Sequence, residues 1–390
     1  MLIFMETYND QRVYGNFNFY FANFTDSRQE HKIKHLLVEI LYISILATIA
    51  GAEDIEDIAR YAQSKKKWLS TFLILPGGIP SHDTFNRVLC MIDPKEFETN
   101  FISWVSDYRN HLHIDNERDV IPIDGKTICN SKDVNTAKKA IHMVSAMSTK
   151  HGLILGQKKC AEKSNEITAI PELLDMIDIT SAIITIDAMG CQKKIAEKII
   201  SKKADYILAL KGNQGNLHDE IVDFFEKTKH PEFKHYIFQT DTQIEKDHGR
   251  IETRQCTTIT NLDWLLEPSQ WPDIKCIVRI KATVIKGDKQ TIEERFYITS
   301  LDGNAMLINQ AIRKHWHIEN NLHWILDVIF REDYCRLRTG NGAENMNIIR
   351  KIALNKLKSH KSDKDSIKGK KKRCGWDDNY AAKILWQMMA

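Results

Sequence analysis

The sequence predicts an α/β protein: a mixed sheet flanked by helices, entered through an all-helical module. Two changes of pattern carry that prediction. From Asp26 to about Arg109 apolar residues recur at helical spacing, and from Val120 the chain switches to short β-branched runs separated by helices. Hairpin-like strands then lead into a strand–helix–strand unit, which mixes antiparallel and parallel pairing in one sheet.

Taken in order, residues 1–25 are aromatic and Asn-rich without periodicity, and a flexible arm is expected there. "KIKHLLVEILYISILATIAG" is a helix ending at Gly51. Its apolar stretch, Leu36 to Ala52, falls short of about 20 clean residues and contains Glu39, so a buried helix is expected and no membrane span. "AEDIEDIARYAQ" and "IPSHDTFNRVLCMI" follow as helices, and "DPKEFETNFISWV" opens on Asp93-Pro94 as cap and first turn. These make a helical module over residues 26–110.

"DVIPIDGKTI", "IHMVSAMST", "GLILGQKKC", "AIITIDA" and "DYILAL" read as strands, with a Lys-rich helix (Gln192 to Lys203) between the last two. "QGNLHDEIVDFFEKT" is a helix, residues from about Tyr236 to Leu301 are again β-rich, and a long helix covers Arg313 to Arg338. The main domain therefore spans 118–358, with a β-rich insertion at about 232–301. The basic tail, 359–390, contains "HKSDKDSIKGKKKR", expected as a disordered linker or arm.

Composition narrows the class. With 43% hydrophobic and 27% charged residues and a net charge of +3, the chain is an ordinary globular protein. Its 8 cysteines include no CxxC pair, which argues against a zinc ribbon or disulfide framework and for reduced thiols. The start lacks a basic segment followed by a long apolar one, so no signal peptide is expected and the location is expected to be cytoplasmic.

Three acids stand out. Asp124 in "VIPIDGKTI" interrupts an apolar strand, where an unpaired carboxylate costs several kcal/mol, about 2 to 7 for even a neutral polar group. Gly125 permits close backbone approach, and Lys126 could offset the charge. Asp187 in "AIITIDAMG" repeats the arrangement. Two such carboxylates on neighbouring strands repel unless protons or cations relieve them, and hard divalent cations prefer oxygen ligands. Glu319 is the candidate third acid. On a helical wheel, Ile318, Leu322, Ile325 and Ile329 form the core face, with Trp316, Glu319, Asn320, His323 and Asp327 opposite. His315, Glu319 and His323, each four residues apart, form a rival set for a softer metal.

Metals about 4 Å apart, each held by oxygen ligands, suit phosphoryl transfer at a nucleic-acid backbone. Lysines support a polyanionic substrate: Lys194, Lys198 and Lys202 form a stripe after Asp187, flanked by Lys193 and Lys203, with Lys158, Lys159, Lys163 and Lys211 nearby in sequence. The plainer alternative is a solvated helix face. Arg250, Arg254, Arg313, Arg336 and Arg338 could clamp single phosphates.

These residues match a known family. "TDSRQEHKIKHLL", "IAGAEDIEDIA", "PIDGK", "TIDAMGCQKKIAEKI", "YILALKGNQ", "HGRIETR" and "HWHIENNLHWILDVIFRED" occur in order, and the chain from about Asp26 to Asn355 resembles bacterial insertion-sequence transposases of the DDE, RNase H-like superfamily, in the H-repeat-associated branch. The resemblance implies an RNase H-like core, Asp124, Asp187 and Glu319 as metal-binding triad, and an inserted β-rich region in the gap of about 130 residues before Glu319. It implies two Mg²⁺ or Mn²⁺ ions, and cut-and-paste transposition acting on double-stranded DNA at terminal inverted repeats and a target. It further implies a homodimer on DNA and end recognition by the helical module. Lys211, Asn213 and Gln214 ("KGNQ") match a family landmark near DNA. Better-known relatives carry a Tyr and an Arg before the Glu and a Lys after it; that spacing lands here on Ile312, His315 and Leu326, so the signature departs. His315-Trp316 and His323-Trp324 stand in its place; these positions imply that His315, Trp316 and His323, with Lys126 beside Asp124, contact DNA, Trp316 and His323 alternatively orienting Glu319. A nuclease of the same fold and a non-enzymatic DNA-binding descendant are the rival readings.

Overall fold

A computed structural model describes residues 20–21, 24–112, 117–132, 139–161, 165–228, 230–233, 235–247, 249–267 and 270–386. Most of the expected N-terminal arm lies outside these. Phe21 and Phe24 stack on one another and meet Phe97 edge-on.

The helical module comprises α1 (Leu37–Ile49), α2 (Ile55–Ser64), the short α3 (Lys66–Leu69), α4 (His82–Met91) and α5 (Pro94–His111). Its helix starts follow capping chemistry: the side chains of Asp54, Ser81 and Asp93 accept the backbone N–H of Asp57, Thr84 and Lys95. Helix α1 is buried along nearly its whole length, as its apolar run implied. Glu39 is tolerated there because its carboxylate accepts N–H bonds from Ile74 and Leu75 at 2.6 and 2.9 Å.

The sheet contains β1 (Val120–Ile128), β2 (Ile141–Ser148), β3 (Leu153–Lys159), β4 (Ile183–Ile186), β5 (Asp205–Leu210), β6 (Gln239–Asp247), β7 (Arg250–Ile259), β8 (Cys276–Lys286) and β9 (Lys289–Thr299). Their order is β3-β2-β1-β4-β5-β9-β8-β7-β6, with β1–β4 and β4–β5 parallel and the other pairings antiparallel. The first five strands carry the expected RNase H-like mixed sheet. The β-rich insertion does not stand apart: β9 pairs with β5, so the four later strands extend the same sheet. Only Phe296–Thr299 of β9 meet β5, and the β8–β9 hairpin runs past it.

Helices α6 (Glu166–Met176), α7 (Lys193–Ser201) and α8 (Asn216–Lys227) pack on the face bearing Ile121, Ile123, Ile184 and Leu208. The other face is covered by α9 (Ala305–His315), a wide-wound arch and α10 (Gly342–Ser359). Helix α10 is buried on every side over most of its length and also completes the core of the helical module, which therefore does not have a core of its own. Asn355 bonds both the N–H and the C=O of Ile154 at 2.9 Å, capping the free edge of β3.

The expected disordered tail is instead two helices, α11 (Ile367–Trp376) and α12 (Asp378–Trp386). Cys374, Tyr380, Ala381, Ile384 and Leu385 bury against the core. Lys370 and Lys371 are only 5% exposed and spend their charge on backbone carbonyls, so two lysines of a run that looks solvated throughout are interior, while Lys361, Lys364, Lys368 and Lys372 stay exposed. No helix among the described residues is long and apolar enough to cross a membrane.

Candidate active site

Strand β4 is only four residues long and stops beside Ile123, so Asp124, although mid-strand in β1, loses its neighbour on that side. Asp187 is the first residue beyond β4, at the same level. Side chains alternate along strands, which puts Asp124, Lys126 and Ser145 on the face covered by α9 and α10. Asp187 is held by a local turn: its Oδ1 accepts the N–H of Met189 at 3.0 Å and of Gly190 at 3.3 Å.

Glu319 arrives on the arch that follows α9. Two π-helical turns build it, Glu319–His323 and Ile325–Ile329, closed by the Trp324 N–H on the Glu319 carbonyl and the Phe330 N–H on the Ile325 carbonyl. Such turns are rare and concentrate at functional sites. The wide winding changes the wheel: Ile318, Leu322, Leu326 and Phe330, four residues apart, are the most deeply buried, while Ile329 is only partly so. That strict repeat of four was visible in the sequence, and it signals a turn wider than 3.6 residues.

His323 lies between the acids. Its Nδ1 is 3.5 Å from Asp124 Oδ2 and 3.4 Å from Glu319 Oε2, and ligand atoms of Asp124, Glu319 and His323 all fall within 4.8 Å of one another. Burial, then the Glu319 carboxylate, pushes Asp124 up to about 8, and Asp187 adds to the rise. Burial pushes His323 down to about 4 despite the attraction of Glu319. A neutral imidazole that presents Nδ1 to two crowded carboxylates is a donor set short of a cation. The residues fit a divalent ion. The rival set does not come within ligand distance among the described residues, and His315 Nδ1 is engaged with Thr185 Oγ1 at 2.9 Å.

Other residues that the sequence pointed to are placed differently. Lys126 lies 2.7 Å from Asp327, 3.0 Å from Glu332 and 3.7 Å from Asp333, so its charge is matched by acids rather than left for phosphate. Burial opposes its charged form, but Glu332 and Asp327 more than offset this and hold its pKa above the ordinary lysine value. Glu332 is fully buried, and its carboxylate also accepts from Asn347 at 2.7 Å. Lys198 pairs with Asp175 at 2.9 Å, Lys202 donates to the carbonyls of Leu174, Asp175 and Ile177, and Lys193 bonds Gln270. The proposed phosphate stripe is thus mostly a brace for the end of α6, with Lys194 exposed.

Asn213 donates to the Ala188 carbonyl at 2.8 Å and Gln214 to the Cys191 carbonyl at 2.5 Å, strapping the turn that holds Asp187. Arg254 is buried and bonds Glu252 at 2.8 Å, Arg250 lies 3.7 Å from the same acid, and Arg313 pairs with Glu245 at 2.6 Å. Arg338 donates to the Asn130 carbonyl. Lys211 and Arg336 are exposed, Trp316 is 45% exposed under Arg295, and Trp324 is 53% exposed. Sequence reasoning missed Glu166 and His142, a pair at 2.7 Å lying against Gly125, where an added Cβ would come within 2.2 Å of the carboxylate.

Residues 115–356 match the family described as Transposase DDE domain, and residues 19–105 match DDE_Tnp_1-associated. The chain belongs to the DDE transposases. Within that family it is similar to the "H repeat-associated putative transposase YhhI" of Escherichia coli (strain K12), 42% identical over 367 residues, 92% of this chain and 95% of that one. It is equally similar to the "Putative transposase YncI" of Escherichia coli O157:H7, 42% identical over 94% of this chain and 93% of that one. The cryo-EM structure of piggyBac transposase in a synaptic complex with hairpin DNA superposes with a TM-score of 0.41 at 12% identity, covering 97% of this chain and 78% of that one. In this DDE domain the first and third acids come together around His323, with the second at the end of the neighbouring strand.

Proposed function

We propose that this DDE transposase performs cut-and-paste transposition: cleavage of DNA strands at the element's ends, then transfer of the freed 3′-hydroxyls into target DNA. One observation carries the reading. Asp124 and Glu319, from elements far apart in sequence, come together around His323, and Asp187 follows the end of the neighbouring strand β4, close enough for its charge to be felt at Asp124. Asp124, Asp187 and Glu319 would hold two divalent cations, Mg²⁺ or Mn²⁺, with His323 Nδ1 within reach of one. Bound there, the ions supply Lewis-acid activation of the attacking oxygen and stabilise charge at the scissile phosphate.

The protein's own part is placement. The Asp187 turn, strapped by Asn213 and Gln214, fixes the second acid, and the arch fixes the third. Trp316 and Trp324 flank Glu319 on the exposed side, where flat aromatic faces stack on bases. Lys194, Lys211, Arg250 and Arg336 lie exposed for phosphate contacts. The helical module, 26–110, would recognise the terminal inverted repeats, and a homodimer in the bacterial cytoplasm would hold two ends together.

A strand-transfer assay tests this. Pre-cleaved duplexes bearing the inverted repeats that flank the gene are incubated with plasmid target and Mg²⁺ or Mn²⁺. Joined product is expected from the wild type and not from Asp187→Ala. Cleavage without joining would make the protein a nuclease of the same fold, and neither product would leave only DNA binding.

A further inference from the structure

The arch carrying Glu319 and His323 is gripped from behind by the C-terminal helices. Lys358, near the end of α10, donates from Nζ to the Asn321 carbonyl at 2.8 Å, within the first π-helical turn. Lys371, on α11, donates to the Ile329 carbonyl at 2.9 Å and lies 4.0 Å over the Phe330 ring, at the arch's last turn. The last carbonyls of a helix lack partners within it, so the Lys371 ammonium closes the arch's end and complements its negative pole, while Lys358 reaches a carbonyl in the first turn. Both lysines come from elements far from the acids in sequence, and one comes from the segment that reads as a solvated tail. Neither side chain contacts Asp124, Asp187 or Glu319 in the structure; each acts through the arch's backbone.

We infer that Lys358 and Lys371 are positioning residues for the active site: they hold the wide-wound arch so that Glu319 and His323 stay over Asp124. A π-helical turn is rare, and a change to ordinary α winding rotates every later side chain about the axis. Such a change would turn His323 and the rest of the arch out of their present setting beside Glu319 and Asp124. Two charge-assisted hydrogen bonds to the arch's own carbonyls oppose that change.

The inference rests on the metal-binding reading of the site, so the experiment has two arms. Amide hydrogen exchange over residues 319–329 reads the arch directly, and Mn²⁺ titration followed by electron paramagnetic resonance reads the site. The variants are Lys358→Met and Lys371→Met in the full chain, with Lys371→Arg as the conservative rescue. Ile58→Val, a core truncation in the helical module, controls for general destabilisation. Loss of one charge-assisted bond is expected to speed arch exchange and raise the Mn²⁺ dissociation constant by about tenfold each. Lys371→Arg is expected to restore both, and Ile58→Val to change neither.

Unchanged arch exchange in both Met variants overturns the inference. So does faster exchange with unchanged Mn²⁺ affinity, or an equal loss of affinity in Ile58→Val. A wild type that binds no Mn²⁺ sinks the metal reading instead, and the exchange arm still reports whether the lysines hold the arch. Should Lys371→Met fail to fold, Lys358→Met and Lys371→Arg decide.

Discussion

Lys126→Met separates two roles for a lysine two residues from Asp124. The sequence suggested that Lys126 offsets the Asp124 charge or contacts DNA; the structure surrounds it with Asp327, Glu332 and Asp333. Removing it leaves Glu332, which is 0% exposed, with Asn347 at 2.7 Å and the more distant Arg350 at 3.6 Å. Breaking a buried ion pair from one side costs about 3 to 5 kcal/mol, and these residual partners put the loss near 3. Asp327 and Asp333 are about a third exposed and contribute little in comparison. Guanidinium unfolding of wild type and variant reads the loss, and fluorescence anisotropy with a DNA duplex reads binding. The double variant Lys126→Met/Glu332→Gln should recover roughly 1 to 3 kcal/mol, because the stranded charge is gone. A loss below about 1 kcal/mol, together with weakened DNA binding, would refute the structural role and return Lys126 to phosphate contact.

Three further outcomes follow from geometry. Burial pushes Glu98 up to about 8. A folded-state pKa above the unfolded one gives stability that is present below the unfolded value and lost as pH rises through 8, so Glu98→Gln should melt progressively higher than wild type between about pH 5 and pH 9; parallel melting curves would contradict this. Gly125→Ala forces a Cβ to within 2.2 Å of Glu166 and 2.5 Å of His142 and should cost about 1 to 3 kcal/mol in denaturant unfolding; wild-type stability would mean that the close approach is wrong. Asn213→Ala/Gln214→Ala frees the turn behind Asp187 and should slow DNA cleavage by up to roughly thirtyfold with DNA affinity intact, two bonds of about 1 kcal/mol each being lost; weaker DNA binding at an unchanged cleavage rate would make them DNA contacts instead.

Much of the fold was legible because its signals are local. The cap at Asp93, the β-branched runs and the stop at Gly51 each depend on a few adjacent residues, and each is where the pattern placed it. The strand-end setting of Asp187 was equally readable, since an acid closing an apolar run has few other places to go. What escaped were long-range facts. Nothing in residues 232–301 says that β9 will pair with β5 and extend the main sheet, because an edge is completed by backbone bonds that carry no side-chain signature. The arch was read on a 3.6-residue wheel, and the misplaced Ile329 is the result. His323 was placed beside Glu319 but not beside Asp124, since that contact depends on how the arch crosses β1.

Lysines account for the largest gap between sequence and structure, and the reason is physical. A lysine's long apolar stem lets it reach an interior carbonyl while its charge remains solvated by oxygen, so a run of lysines has the same composition whether it faces water or a helix end. Lys202 closes α6, Lys370 closes α10, Lys371 closes the arch and Lys356 reaches the Leu385 carbonyl. Each of these sites accepts a cation because carbonyls at helix ends are unpaired, a property of where helices stop rather than of the lysine's neighbours in sequence. The polyanion footprint proposed above is therefore smaller than the lysine count suggests: Lys194, Lys211, Arg250 and Arg336 stay exposed, whereas Lys202, Lys356, Lys370 and Lys371 are spent on carbonyls.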